Sequence, residues 1–475
     1  MASDFDLIVI GAGAGGLVSS GFAAGLGLKV ALISDGSPGG ECLWTGCVPS
    51  KALIHSASVA HFLRQYAGDS FARENVPFKA AMDHMRKARE HISHHDSVET
   101  IEKSGVKVIL GRARFLDNHA IEVAGRKLSA GKFIIATGGY QKVPPVDGLA
   151  EAGCLTHESI LELDEQPEHL VIVGAGPVGI EYAQTMRRLG VKVTVVEADC
   201  RPLNKEEPET SEFVLEKLTS EGVVFHCYHK LVRVQGIGAG KSVTIEGPDG
   251  TKEINCDQIL VATGKTPSTA TLDLPKAGVI TDKRGFVEVN RHQRTSAKNI
   301  WAVGDVCGSF QFTHYADHTA QVAVLNASLG LPVKSSLVVP WCTFIDPEIA
   351  SVGMRRAKAI EMFGEERVTT LDYGLNDYDR AIVDDAALGF IKVVIERSGK
   401  ILGATVAGER AGELIHEFTL AIKAGKKITD LAGLIHVYPT MSGAVRNAAA
   451  GYYLATAKGS SWQSKLLKAW AQFLK

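Results

Sequence analysis

Charge of one sign is what this chain most lacks. Its 51 lysines and arginines face 53 aspartates and glutamates, leaving a formal net charge of −2. That balance argues against a nucleic-acid binder driven by general electrostatics. Cysteine is scarce too: eight in 475 residues is too sparse for a secreted disulfide scaffold. Long uncharged apolar runs are missing, so no bilayer-spanning helix is expected. The residues Met1-Ala2-Ser3-Asp4-Phe5-Asp6 carry no basic region ahead of Leu7-Ile8-Val9-Ile10. No secretory leader is therefore expected, and the cytoplasm is the expected compartment. What remains is ordinary: 45% hydrophobic and 22% charged residues, enough apolar material for a core. The length predicts about three domains.

Two of the few cysteines stand close together, in Gly39-Gly40-Glu41-Cys42-Leu43-Trp44-Thr45-Gly46-Cys47-Val48-Pro49-Ser50-Lys51. A regular helix would hold their Cα atoms beyond about 7 Å, too far for a disulfide. The connecting turn must be irregular, which Gly46 permits. Pro49 suits the first turn of a helix. A thiol at that helix N-terminus has its thiolate form favoured, as a redox cysteine needs. Beside a dinucleotide site, such a pair reads as a dithiol that exchanges electrons with a bound cofactor.

That site is legible just upstream. Leu7-Ile8-Val9-Ile10 reads as a buried strand, and Gly11, Gly13 and Gly16 then fill the positions of a G-x-G-x-x-G turn. A helical stretch leads to a second strand, Lys29-Val30-Ala31-Leu32-Ile33. The glycines permit a tight turn, and the helix N-terminus faces a pyrophosphate. The ribose-binding acid expected after the second strand is displaced: Ser34 occupies the spot and Asp35 follows. The pattern recurs at Leu170-Val171-Ile172-Val173, with Gly174, Gly176 and Gly179, a helix, Lys192-Val193-Thr194-Val195-Val196 and then Glu197. Glu197 would bond an adenosine 2′-hydroxyl and repel a 2′-phosphate, so NADH is expected over NADPH. Two further runs, Phe133–Gly138 and Ile259–Gly264, are buried strands that both end in Ala-Thr-Gly. Ile300-Trp301-Ala302-Val303-Gly304-Asp305 reads as another strand ending in an acid, placed to meet a cofactor hydroxyl.

Together these motifs resemble the class I pyridine nucleotide-disulfide oxidoreductases, in the branch of the mercuric reductases and dihydrolipoyl dehydrogenases. The resemblance spans essentially the whole chain. It implies an α/β architecture of two Rossmann-like dinucleotide-binding domains, for FAD and NAD, plus an α+β C-terminal dimerisation domain. The implied divisions are 1–147 for the first part of the FAD domain, 148–266 for the NAD(P)H domain, 267–336 for the return to the FAD domain, and 337–475 for dimerisation. It implies a homodimer whose active site is completed by the second copy. By the same resemblance Gly11, Gly13 and Gly16 match the FAD pyrophosphate turn, Asp305 the acid on the ribityl chain, and Lys51 the lysine beside flavin N5. Glu181 matches that lysine's ion-pair partner. Cys47 corresponds to the thiolate in charge-transfer contact with the flavin, and Cys42 to the interchange thiol. Ser34, Asp35, Ala113, Thr137, Gly138 and His314 complete the expected FAD contacts. Gly174, Gly176, Gly179, Glu197 and Gly264 are the expected nicotinamide-nucleotide contacts. Thr343–Gly353 looks like the family's opening strand in the C-terminal domain, and 390–395 with 401–406 reads as a hairpin around Ser398-Gly399.

The sequence departs from the dihydrolipoyl dehydrogenase pattern at one place. That branch carries His-x-His-Pro-Thr-x-Ser-Glu, its second His acting as acid–base catalyst oriented by the Glu. Here the run is His436-Val437-Tyr438-Pro439-Thr440-Met441-Ser442-Gly443, so Tyr438 and Gly443 stand where the dyad belongs. Tyrosine, with a pKa near 10, handles protons poorly at neutral pH. Mercuric reductases also carry a tyrosine there, but usually end in a paired cysteine that this tail lacks. His436, two residues from Tyr438, is read first as structural and second as a substitute catalyst. His91, His94 and His95 are read as part of a solvated helix, so no metal site is expected. Cys154, Cys200, Cys227, Cys256, Cys307 and Cys342 are read as mostly buried fillers. In the tail Trp462, Leu466, Leu467, Trp470, Phe473 and Leu474 form one helical stripe. Packing on the protein body is the preferred reading, and peripheral membrane contact the alternative.

The expected function is an FAD-dependent, NADH-driven reductase, with NADPH as the second choice of nucleotide. Electrons pass through Cys42 and Cys47 to a small disulfide, a sulfur compound or a soft metal ion. A dihydrolipoyl dehydrogenase, a mercuric reductase and a flavin-binding redox sensor without sustained turnover are the alternatives.

Overall fold

A computed structural model describes residues 3–238 and 240–458; the tail stripe from Trp462 onward lies outside them. The chain forms two compact units. One comprises residues up to 200 together with 218–336, and the other 201–217 together with 337 onward.

The first unit is built on strands whose near-continuous apolar runs demand burial on both faces. β1 (Phe5–Ile10) pairs in parallel with β2 (Val30–Ser34), and β2 with β3 (Val106–Leu110). On the other side of β1 lies β6 (Arg126–Ile135), itself parallel to the strand Ile300–Ala302. β4 (Ala113–Asp117) and β5 (Ala120–Val123) extend the β6 edge antiparallel. Helix α1 (Ala14–Gly25) starts directly after the first glycine turn. α2 (Gly40–Trp44) and α3 (Cys47–Ala67) follow β2.

A second, four-stranded parallel sheet runs in the order Val224–Cys227, Lys192–Glu197, His169–Val173, Gln258–Val261. The helix Pro177–Arg188 opens after the second glycine turn. A two-stranded ribbon, Gly139–Gln141 against Lys265–Pro267, carries the chain out to this sheet and back.

The second unit has a five-stranded antiparallel sheet. Helices Ala411–Lys423 and Ser442–Lys458 contribute Ile415, Phe418, Val445 and Ala448 to its core. The hairpin Phe390–Glu396 with Ile401–Gly408 forms around Ser398-Gly399. The expected single strand over Thr343–Gly353 is instead a tight antiparallel pair, Pro340–Thr343 against Glu348–Gly353. Asp346-Pro347 lies in the connection, and proline cannot donate to a ladder.

Of the six cysteines read as fillers, only Cys256 is buried; Cys200 is exposed and the other four are intermediate. Their positions near strand ends and loops leave them half-covered, a correction to the sequence reading. His91, His94 and His95 are exposed at the end of the helix Phe78–Ser93 and in the turn after it. No cluster of metal-ligating side chains occurs among the described residues.

Candidate active site

The cysteine motif folds as two helices with a break between them. Cys42 lies in α2, whose last turn ends at Trp44, and Cys47 is the first residue of α3. Gly46 makes the break, and a Cβ on it would come within 3.0 Å of the Glu41 carbonyl oxygen. Pro49 sits buried in the first turn of α3, where its missing N–H costs nothing. Both thiols are free.

Their environments differ sharply. Cys47 Sγ lies 3.2 Å from the Thr313 hydroxyl. Its pKa is lowered to about 6, first by the hydrogen bond it accepts from the Cys42 thiol, then by Thr313 and the Lys51 ammonium. Partial loss of solvent around the sulfur and the Glu41 carboxylate push the other way. The shared hydrogen bond drives Cys42 up, with burial and the Cys47 charge adding to it. These surroundings favour one thiolate and one thiol, with the charge on Cys47.

Lys51, one turn further along α3, donates from Nζ to Glu181 Oε2 at 2.9 Å. The Glu181 side chain is only 9% exposed while that of Lys51 is 36% exposed. A buried carboxylate thus anchors an ammonium that stays accessible. The expected pair is brought together across 130 residues of sequence.

The first glycine turn has the shape of a phosphate cradle. Gly11 adopts φ +104°, and a Cβ there would strike the Ala136 carbonyl oxygen; one on Gly16 would strike Gly11's own. Thr137, at the end of β6, buries its hydroxyl without a hydrogen-bond partner. Gly138 follows with φ +64°. Ser34 is buried, its hydroxyl donating to the Gly36 carbonyl oxygen at 2.7 Å, whereas Asp35 is exposed opposite Arg112 at 3.7 Å. Ala113 is buried at the start of β4. Asp305 sits in the turn Gly304–Cys307, its carboxylate accepting from Lys265 Nζ at 2.8 Å. His314 is exposed and stacked on Phe312, with ring centroids 5.3 Å apart.

The second glycine turn repeats the geometry. Gly174 has φ +105°, and Gly179 packs too closely on the Gly174 carbonyl to admit a Cβ. Gly176 caps the helix Pro177–Arg188. Glu197 ends its strand with Oε2 accepting from Ala175 N at 2.6 Å and Oε1 from Asp199 N at 2.8 Å. Its carboxylate thus points at the glycine turn. Gly264, with φ +99°, leads into the return ribbon.

In the second unit, Tyr438 is 72% exposed. Its hydroxyl donates to Asp379 Oδ2 at 2.8 Å, and that hydrogen bond pushes its pKa up. His436 turns inward, Nε2 lying 3.1 Å from Glu417 Oε1, with its side chain 11% exposed. Gly443 is the second residue of the last described helix, Ser442–Lys458, and a Cβ on it would press on the Tyr378 hydroxyl. Tyr378 in turn donates to the Thr440 carbonyl at 2.6 Å, and Arg380 to that of Pro439 at 3.1 Å.

Sequence reasoning missed Thr313, Lys265, Asp379 and Tyr378. Thr313 and Lys265 had weak signals: one adjoins His314, the other follows the second Ala-Thr-Gly run. Asp379 and Tyr378 had none.

The comparisons with known proteins agree with this geometry. Residues 5–320 match the family model for pyridine nucleotide-disulphide oxidoreductases, and 339–449 match the dimerisation domain of the same family. A mercuric reductase from Bacillus cereus is 33% identical over 443 residues, covering 92% of this chain and 70% of the relative. A dihydrolipoyl dehydrogenase from Haloferax volcanii is 35% identical over 466 residues, covering 94% and 96%. Among solved structures, a Cu(II) complex of the HOCl-induced flavoprotein disulfide reductase RclA from Escherichia coli superimposes with a TM-score of 0.84 at 27% identity. It covers 93% of this chain and 98% of that one. No helix among the described residues is long and apolar enough to cross a membrane. On these matches the chain belongs to the class I pyridine nucleotide-disulfide oxidoreductases, a family of FAD-binding, pyridine nucleotide-dependent enzymes with a dimerisation domain.

Proposed function

We propose that this enzyme is an NADH-driven reductase that passes electrons through Cys42 and Cys47 to a small disulfide, a sulfur compound or a soft metal ion, without the usual His–Glu dyad. The observation that carries the reading is the geometry of the thiol pair: Cys47 opens α3 with the Thr313 hydroxyl at 3.2 Å, Lys51 follows one turn on and is held by Glu181 at 2.9 Å, and Cys42 lies in the preceding short helix.

The residues fit FAD. The Gly11–Gly16 cradle admits a close phosphate, and the unpartnered Thr137 hydroxyl offers a buried polar group at the end of β6. Bound there, FAD supplies the two-electron relay between NADH and the cysteine pair. Lys51, held by Glu181, favours the negative charge on Cys47 and would do the same for a reduced flavin bound beside it. Glu197 presents a carboxylate at the second glycine turn, which favours a free ribose 2′-hydroxyl and disfavours a 2′-phosphate.

Opening a Cys42–Cys47 disulfide takes up two electrons and one proton. Cys47 keeps the charge, and the proton stays on Cys42. Before Cys42 attacks an acceptor that proton must leave, and in the dimer the group proposed to face it is Tyr438 of a second copy. Tyr438 donates to Asp379 and holds its own proton tightly. It is therefore a poor base, and slow turnover of lipoamide or glutathione disulfide follows. A soft metal ion bound directly by thiolates evades that step, since it displaces the proton itself. The mercuric reductases among the relatives support this acceptor class. A dithiol of this kind suits a reducing compartment, and the cytoplasm is the proposed location.

Anaerobic NADH titration tests the reading. A long-wavelength thiolate–flavin band that disappears in Cys47→Ser supports the enzyme. Flavin that neither nicotinamide nucleotide reduces would sink it in favour of a redox sensor. A screen with lipoamide, glutathione disulfide, persulfides, Hg²⁺, Cu²⁺ and quinones then identifies the acceptor.

A further inference from the structure

One half-buried ionic cluster stands beside the redox pair. Lys265 Nζ lies 2.7 Å from Glu41 Oε2 and 2.8 Å from Asp305 Oδ2. Glu41 directly precedes Cys42 in α2, so its carboxylate belongs to the same short helix as the interchange thiol. An acid in that place works against the chemistry: its charge raises both Cys42 and Cys47. Asp305 adds a second carboxylate nearby. Lys265 is the cation between them.

We propose that Lys265 is a positioning residue: by clamping Glu41 to Asp305 it neutralises the carboxylate next to the redox thiols and keeps the charge on Cys47 favoured. The inference rests on the reading of Cys47 as the flavin-side thiolate. Three further observations support it. Lys265 sits on the ribbon strand Lys265–Pro267, held against Gly139–Gln141, and Gln141 Nε2 donates to the Gly264 carbonyl at 2.9 Å. Its ammonium is therefore delivered from a braced backbone. Burial works against that charge, yet the two carboxylates more than offset it and push the lysine up. The other group facing Glu41, His157 Nε2 at 3.3 Å, is no substitute, because burial lowers its pKa and favours the neutral ring. Among the described residues, the other charged or titratable groups acting on Cys47 are Cys42, Lys51 and Glu41, and Lys51 is already engaged with Glu181.

The test uses FAD-loaded protein in a Cys42→Ser background, where Cys47 stays a free thiol. The long-wavelength band is titrated against pH in that parent, in Lys265→Met, in Lys265→Arg and in the double variant Glu41→Gln/Lys265→Met. Lys265→Met is expected to raise the midpoint by about one unit, a roughly tenfold loss of thiolate at fixed acidic pH. Lys265→Arg is expected to keep the parent midpoint, and the double variant to return to within about twofold of it in thiolate. Iodoacetamide labelling of Cys47, followed by peptide mass spectrometry across the same pH range, reads the same midpoint should Lys265→Met weaken FAD binding. An unmoved midpoint in Lys265→Met, or a double variant that stays as shifted as the single one, overturns the proposal. A parent that shows no band indicts the reading of Cys47 itself, which keeps the two failures distinct.

Discussion

Thr313 offers the sharpest test of how Cys47 is held ionised. It opens the helix Thr313–Leu329, is exposed, and places its hydroxyl 3.2 Å from Cys47 Sγ. Replacing it with alanine removes one donor to the thiolate without opening the core. A hydrogen bond to a charged group is worth about 1.5–3 kcal/mol. Cys47 is exposed, so solvent screens the interaction and the lower end applies, about 1.5 kcal/mol, or roughly one pKa unit. From its present value of about 6, the Cys47 midpoint should rise to near 7. The sign follows from depression: a thiol whose pKa is lowered carries its thiolate above that value and loses it as the pH falls. At pH 6 the thiolate share should drop from about half to about a tenth, while at pH 8.5 both proteins should be almost fully ionised. The assay is the long-wavelength band of anaerobically two-electron-reduced protein, followed from pH 5 to 9. Thr313→Ser, which keeps the hydroxyl, should titrate like the parent. A Thr313→Ala midpoint within about 0.3 unit of the parent would refute the reasoning, since a lost charge-assisted bond should move it further.

Two other expectations concern the nucleotide and substrate sides. Gly443→Glu alone should destabilise the protein by about 1–3 kcal/mol in thermal denaturation, because the new Cβ meets the Tyr378 hydroxyl. Tyr378→Phe in the same chain should recover part of that loss, and an unchanged midpoint in the single variant would show the space to be free. Glu197→Ala should raise the KM for NADH about tenfold and narrow the NADH-to-NADPH ratio of kcat/KM, by loss of one charged acceptor. An unchanged ratio would rule out Glu197 as the nucleotide selector.

Much of this was legible in local sequence because local rules set it. Both glycine turns follow from a buried strand meeting a helix, where a side chain would collide with backbone, as Gly16 and Gly179 show. The break between Cys42 and Cys47 follows from the helix spacing and Gly46. The Thr343–Gly353 reading erred because the segment spans the end of one strand, a turn through Asp346-Pro347 and a second strand. The half-covered cysteines were misjudged because burial depends on what packs over a loop, and their local sequence carries little of that.

The sequence by itself determined two nucleotide turns and a cysteine pair at a helix start, the features from which the electron route is proposed. Those are properties of neighbours along the chain, so spacing and residue type suffice. Only the tertiary structure decided what surrounds the two thiols. Cys47 owes part of its thiolate preference to Thr313, more than 250 residues away, and Lys265 crosses 224 residues to meet Glu41. Gly443 likewise makes room for Tyr378, whose hydroxyl reaches across 62 residues to the Thr440 carbonyl. Electrostatic and steric partners of this kind act through space over a few ångströms, and distance along the chain carries no record of them.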